Sequence, residues 1–110
     1  MEAGEWVVAV ESATATIRMD PDRVRVRAGV ANTPVVIQYK EPLQFERRWA
    51  VRATARLILD CGGRRWRFRS LRAFDAQGDL IGGAGEGAWR AAEADAPMTE
   101  LLDRVCAGGV

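Results

Sequence analysis

The placement of two cysteines constrains this chain more than any other feature. Cys61 closes the run Val51 to Asp60, and at the strand period of two it shares a face with Val51, Ala53, Ala55, Leu57 and Leu59. Cys106 ends the segment PMTELLDRVC, in which Met98, Leu101, Leu102, Val105 and Cys106 recur at the spacing of one helical stripe. Both stripes are apolar and demand cover, so the reading is a sheet that carries a C-terminal helix on its apolar face, with both thiols pointing into the contact. Joined across it, the sulfurs close a loop of about 45 residues, worth about 4 kcal/mol in the chain-entropy model. Left reduced, they serve as two small buried hydrophobes. A lone pair of cysteines does not make a zinc site, which needs four ligands, and the chain has no histidine to complete one. Nor do they form a Cys-x-x-Cys redox motif.

Alternation along the rest of the chain supplies the sheet. Trp6 to Val10 and Ala13 to Met19 read as a hairpin, with Ala15, Ile17 and Met19 against Thr14, Thr16 and Arg18. Asp20-Pro21-Asp22 marks a turn into RVRVR, where Val24 and Val26 oppose Arg23, Arg25 and Arg27. Thr33-Pro34 opens a strand over Val35 to Tyr39 that Glu41-Pro42 ends, because proline cannot continue a central strand. Leu43 to Trp49 has no assignable period. Gly62-Gly63 forms a tight turn whose register burial decides: Leu59 faces Trp66 and Leu57 faces Phe68 on one side, while Asp60 faces Arg65 and Ile58 faces Arg67 on the other. A slip by one residue sets leucines against arginines. Beyond Ser70 the phase drifts, as at a bulge or at the sheet's edge. Asp75-Ala76-Gln77-Gly78 is a second turn, followed by a short strand at Leu80-Ile81. The result is an α+β fold over residues 1–110, one domain: a curved antiparallel sheet of about six strands with one C-terminal helix packed on its apolar face.

Several functions are disfavoured by composition. Without histidine, serine or cysteine nucleophiles lack their usual base and metal hydrolases their usual ligands. The aspartates fall mostly at turns, where they accept backbone hydrogen bonds. The GGAGEG segment has neither the lysine nor the following helix of a phosphate cradle and reads as a flexible loop. No catalytic residue, metal or cofactor is therefore expected. No apolar run is long enough to span a membrane, and MEAGEW lacks the basic start and apolar stretch of a signal peptide.

The positive feature is arginine. Of the 16 basic residues only Lys40 is a lysine, and Arg18, Arg23, Arg25, Arg27, Arg52, Arg56, Arg65, Arg67 and Arg69 all oppose the apolar positions of their strands. If those strands share one sheet, the arginines make a broad cationic face, read either as a binding surface or as a solvated outer face. Trp66 and Phe68 lie on the other side from Arg65, Arg67 and Arg69, so bases would not stack where phosphates are held, and nucleic acid is not an expected partner.

From Asp60 onward the chain resembles the bacterial surface-adhesin protein E-like family. Asp60-Cys61, Arg65-Trp66-Arg67, Asp75 to Gly78, Trp89, Pro97 with Thr99, and Val105-Cys106 follow that family's pattern in order, although its proline-glycine-serine before the helix reads Pro97-Met98-Thr99 here. Trp6 and IRMDPDRVR fit its opening more loosely. The resemblance implies an exported protein of a Gram-negative bacterium, periplasmic or at the cell surface, with a Cys61–Cys106 disulfide and no catalysis. It also implies an adhesin recognising host matrix or serum proteins; alternation, not the resemblance, supplies Arg18, Arg25, Arg52, Arg56, Arg65, Arg67 and Arg69 as the candidate face. An export signal would precede this sequence, and membrane association would run only through a lipid anchor outside it. The alternatives are an envelope assembly protein that pairs, for example as a homodimer, through sheet edges or through Phe45, Trp49 and Trp89, and a binder of an anionic polymer through the arginines.

Overall fold

Side-chain alternation places eight segments in strands: β1 (Val7–Glu11), β2 (Ala15–Met19), β3 (Arg25–Arg27), β4 (Val30–Phe45), β5 (Arg48–Asp60), β6 (Arg65–Phe74), β7 (Leu80–Ala84) and β8 (Arg90–Ala91), ahead of one helix, α1 (Ala96–Gly108). The computed structural model describes residues 6–108. All pairings are antiparallel, and the sheet runs β1-β2-β4-β5-β6-β7. The two remaining strands explain the count of about six, because they are the continuations of interrupted edges. β2 and β3 share one flank of β4, with residues 20–24 looped out between them; β7 and β8 share the outer flank of β6, with residues 85–89 looped out.

The β5–β6 register is the one that burial demands: Leu57 opposite Phe68, Ile58 opposite Arg67, Leu59 opposite Trp66 and Asp60 opposite Arg65. The turn chemistry differs from the two-glycine expectation. Cys61 to Arg64 form a four-residue loop, and its left-handed residue is Arg64 (φ 54) rather than a glycine. Gly63 is small because its N–H donates to the Asp60 carboxylate, and a Cβ there would stand 2.5 Å from Asp60 Oδ2.

Four other expectations are corrected. β4 runs through both prolines. Pro34 is tolerated because, on the β2/β3 flank, residues 33 and 34 fall between the stretches paired to β3 and to β2. Pro42 lies in a bulge where the ladder passes from Gln38–Arg52 to Leu43–Ala50. The unassigned stretch from Leu43 to Trp49 is the tip of the β4–β5 hairpin, turning at Glu46 (φ 58) without glycine or asparagine to announce it. Val51, expected in the core, is half-buried and stands outside it, because the bulge leaves Tyr39 to Pro42 opposite it and disrupts the ladder there. Arg23 belongs to a 3-10 turn, Pro21–Arg23, rather than to a strand. That turn is capped by the buried Asp20, whose Oδ1 accepts the Asp22 N–H.

The core lies between the sheet and α1. Met98, Leu101, Leu102 and Val105 are buried with Ala53, Ala55, Leu57, Leu59 and Trp66, and Phe68 packs against them. Asp95 caps the helix, its carboxylate accepting the Met98 N–H and its carbonyl the Thr99 N–H. Three ties then hold α1 in place. Cys61 and Cys106 form a disulfide with their Cα atoms 5.8 Å apart. Arg64 donates to Asp103 and Glu93 at 2.6 and 2.9 Å, and Arg104 donates to the Ala9 carbonyl of β1.

An arginine-bearing sheet face as candidate functional site

With one face under the helix, the register assigns the other face row by row, since directly paired residues point the same way. Arg18, Val36, Thr54 and Arg72 form one row across β2, β4, β5 and β6. Pro34, Arg56 and Arg69 form the next; Arg25, Asn32, Ile58 and Arg67 follow; Arg27, Val30, Asp60 and Arg65 close the series. Arg52 lies on the same face beyond the first row, opposite Gln38 and Phe74. The structure thus brings Arg18, Arg25, Arg27, Arg52, Arg56, Arg65, Arg67 and Arg69 onto one side of one sheet.

These arginines are not equivalent. The looped-out residues 85–89 fold over one end of the face. There Arg65 and Arg67 each lie against the Trp89 ring, 4.3 and 4.4 Å from its centroid. Glu86 meets Arg67 at 3.4 Å and Arg69 at 3.2 Å. The loop is held by the edge of β6, the Gly87 N–H donating to the Phe68 carbonyl and the Gly85 carbonyl accepting the Ser70 N–H. Arg65 also donates to Asp60 at 2.8 Å. The Gly63 N–H, followed by Arg65, holds the Asp60 carboxyl below its ordinary range. Trp89 therefore puts an aromatic ring on the arginine face at this end, and its guanidinium partners already occupy it. Trp66 and Phe68 remain on the helix side, edge to face at 5.2 Å.

The other end is open. Among the described residues, Arg18, Arg56 and Arg72 make no ion pair, and all three are exposed. Arg56 donates to the Asn32 side chain at 3.1 Å. Between them runs a groove of about 330 Å³ whose lining includes Trp6, Pro34, Val36, Thr54, Arg56, Ser70 and Arg72. Arg52 is half-buried with its guanidinium 4.9 Å from the Phe74 centroid. Arg23 is spent on Asp20 and lies under Trp6. Arg25 donates to the carbonyls of Asp22 and Val24.

Alternation alone misses Arg72, Ser70 and Trp6. Ala55 of β5 faces both Ser70 and Leu71, so β6 changes phase there and Arg72 joins the face that carries Arg65, Arg67 and Arg69. The signal was the phase drift after Ser70, which adopts φ 55 at the bulge. Trp6 precedes β1 on the side of Val8, which pairs with Arg18, and reaches over the sheet. Among the described residues no group of three or more acidic or cysteine side chains is arranged to hold a metal. No helix among them is long and apolar enough to cross a membrane.

The surface-adhesin protein E family model matches residues 6–107. Solved structures of Haemophilus influenzae protein E share the fold. One is 15% identical, with a TM-score of 0.66 over 99% of this chain and 89% of that one. A second crystal form is 14% identical, with a TM-score of 0.67 over 98% and 91%, and protein E from the non-typeable organism gives 0.64 at 15% identity over 97% and 78%. No curated protein matches the sequence.

Proposed function

This chain belongs to the surface-adhesin protein E family, and from that premise we propose that it is an exported, non-catalytic binding module that holds an acidic surface of a host matrix or serum protein on its arginine-bearing sheet face. The observation that carries the reading is the open part of that face. Arg18, Arg56 and Arg72 stand exposed on neighbouring rows with no ion pair among the described residues, whereas Arg65, Arg67 and Arg69 at the other end are paired with Asp60 and Glu86. A cationic face with a fixed guanidinium array steers acidic partners and pairs planar carboxylates.

The test is binding of the purified protein to immobilised matrix and serum proteins across a salt series. Binding should weaken by about tenfold or more between low and physiological salt. Arg18→Glu with Arg56→Glu should abolish it while the circular dichroism spectrum and melting temperature stay as in the parent. Binding that is indifferent to both salt and charge reversal would show that the face only keeps the sheet soluble.

Assembly through sheet edges is a second reading, favoured by Val7 and Val8 of the edge strand β1, 39% and 44% exposed. Sedimentation equilibrium separates the two, because edge pairing would give a concentration-dependent dimer whose formation does not need Arg18 or Arg56.

A further inference from the structure

We propose that the groove beneath Trp6 is the specificity pocket of this face and takes an acidic side chain together with the apolar side chain two residues along from an extended peptide segment of the partner protein. The inference rests on the reading of the arginine face as the binding surface, and it adds what that surface selects. Three observations carry it. The groove is flanked by two guanidiniums, Arg56 and Arg72, that have no carboxylate partner among the described residues, and Thr54 and Ser70 place hydroxyls beside them. Its floor and wall are apolar, formed by Pro34, Val36 and the Trp6 ring. The bulge that sets Ser70 at φ 55 is what brings Arg72 to this side, so the pocket is made by a local departure from the regular ladder.

Those features fit a peptide better than a continuous polyanion. A polysulfated chain presents a charge on nearly every unit, and beyond this groove it meets Glu86 and Asp60 on the same face, where Arg65, Arg67 and Arg69 are already paired. An extended segment whose every second residue is in turn acidic and apolar presents both on one side, and sets its charges against Arg56 and Arg72 and its apolar groups against Val36 and Trp6. Arg18, in the same row as Val36 and Arg72, lies on the far side of Val36, two strand spacings or about 10 Å from Thr54, within reach of the next acidic residue of such a segment.

Fluorescence anisotropy on the full chain tests this with three labelled probes: a peptide in which aspartate and leucine alternate at every second position with serine between, polyaspartate of equal charge, and a heparin oligosaccharide. The alternating peptide should bind saturably and tighter than the other two. Arg72→Gln and Trp6→Ala should each weaken it by about tenfold, the scale of one lost charge-assisted contact. Arg47→Gln, at the tip of the β4–β5 hairpin away from the groove, should change it by less than about twofold. Equal binding of polyaspartate or heparin, or indifference to Trp6→Ala, overturns the pocket. Competition separates this outcome from failure of the adhesin reading. If salt-sensitive binding to host proteins persists without any peptide binding, the pocket fails and the face stands. If the peptide binds through the groove but does not displace host protein, the pocket stands and the adhesive surface lies elsewhere.

Discussion

At the scale of single residues, the glycines of GGAGEG show how one letter can encode opposite things. A Cβ on Gly82 would overlap the Phe45 ring, and one on Gly83 would stand 2.8 Å from the Leu71 carbonyl oxygen, whereas Gly85 faces open space. The first two are packing positions in β7, whereas Gly85, like Gly87, lies in the loop that composition suggests. Gly83→Ala is therefore expected to cost about 1–3 kcal/mol, because the obstacle is backbone that must move, while Gly85→Ala should change stability by less than about 0.5 kcal/mol. Urea midpoints decide it, and equal costs would mean that β7 does not pass β6 as closely as described. The composition of this segment excluded a phosphate cradle, but it held no sign of Phe45, which arrives from a hairpin tip with no readable period. Arg72 was hidden for a related reason. Its face depends on a one-residue bulge at Ser70, and alternation carries parity only as far as the ladder stays regular.

At the scale of elements, the helix and its docking were the most legible part of the chain. Met98, Leu101, Leu102 and Val105 keep strict helical spacing, and the strand they cover keeps strict alternation, so both faces could be named before their contact was seen. Leu101 is fully buried, and Leu101→Ala should cost about 2–5 kcal/mol by chemical denaturation. Reduction of the Cys61–Cys106 bond, which closes 45 residues of chain, should lower the melting temperature by more than about 10 °C. If reduction leaves the transition in place, Arg64 and Arg104 suffice to hold α1. The two looped-out segments were not legible. Residues 20–24 announce a turn, but nothing local says that β3 resumes on the same flank of β4 as β2. Nothing in GEGAW says that Glu86 and Trp89 fold over Arg65, Arg67 and Arg69. Those contacts depend on where β7 ends and β8 begins along β6, which is tertiary information.

At the scale of the whole molecule, the charge proposed to bind and the charge that holds the fold respond to pH in separate ranges. Four carboxylates are held below their ordinary range: Glu11 by Lys40 and Thr16, Asp60 by the Gly63 N–H and Arg65, Asp75 by the N–H groups of Asp79 and Gln77 with Arg48, and Glu93 by Arg64. Each is more acidic folded than unfolded, so the unfolded chain binds more protons as the pH falls. Their stabilisation is present above the unfolded carboxylate values near pH 4 and is lost progressively below them. Tyr39 works in the other direction, because burial raises its folded value above the ordinary one of 10.0. The unfolded chain then gives up that proton first, and stability falls as the pH rises past about 10. Between these limits lie no histidine and, with the disulfide formed, no thiol. The melting temperature should therefore be flat from about pH 5.5 to 8.5, falling on either side, as scanning calorimetry across that range would record. Guanidinium groups do not deprotonate in proteins, so the proposed salt-sensitive binding through Arg18, Arg56 and Arg72 should not change over the same interval unless the partner titrates. A stability slope near pH 6.5 would point to a titrating group outside residues 6–108. A slope in binding alone would locate the titrating group on the partner.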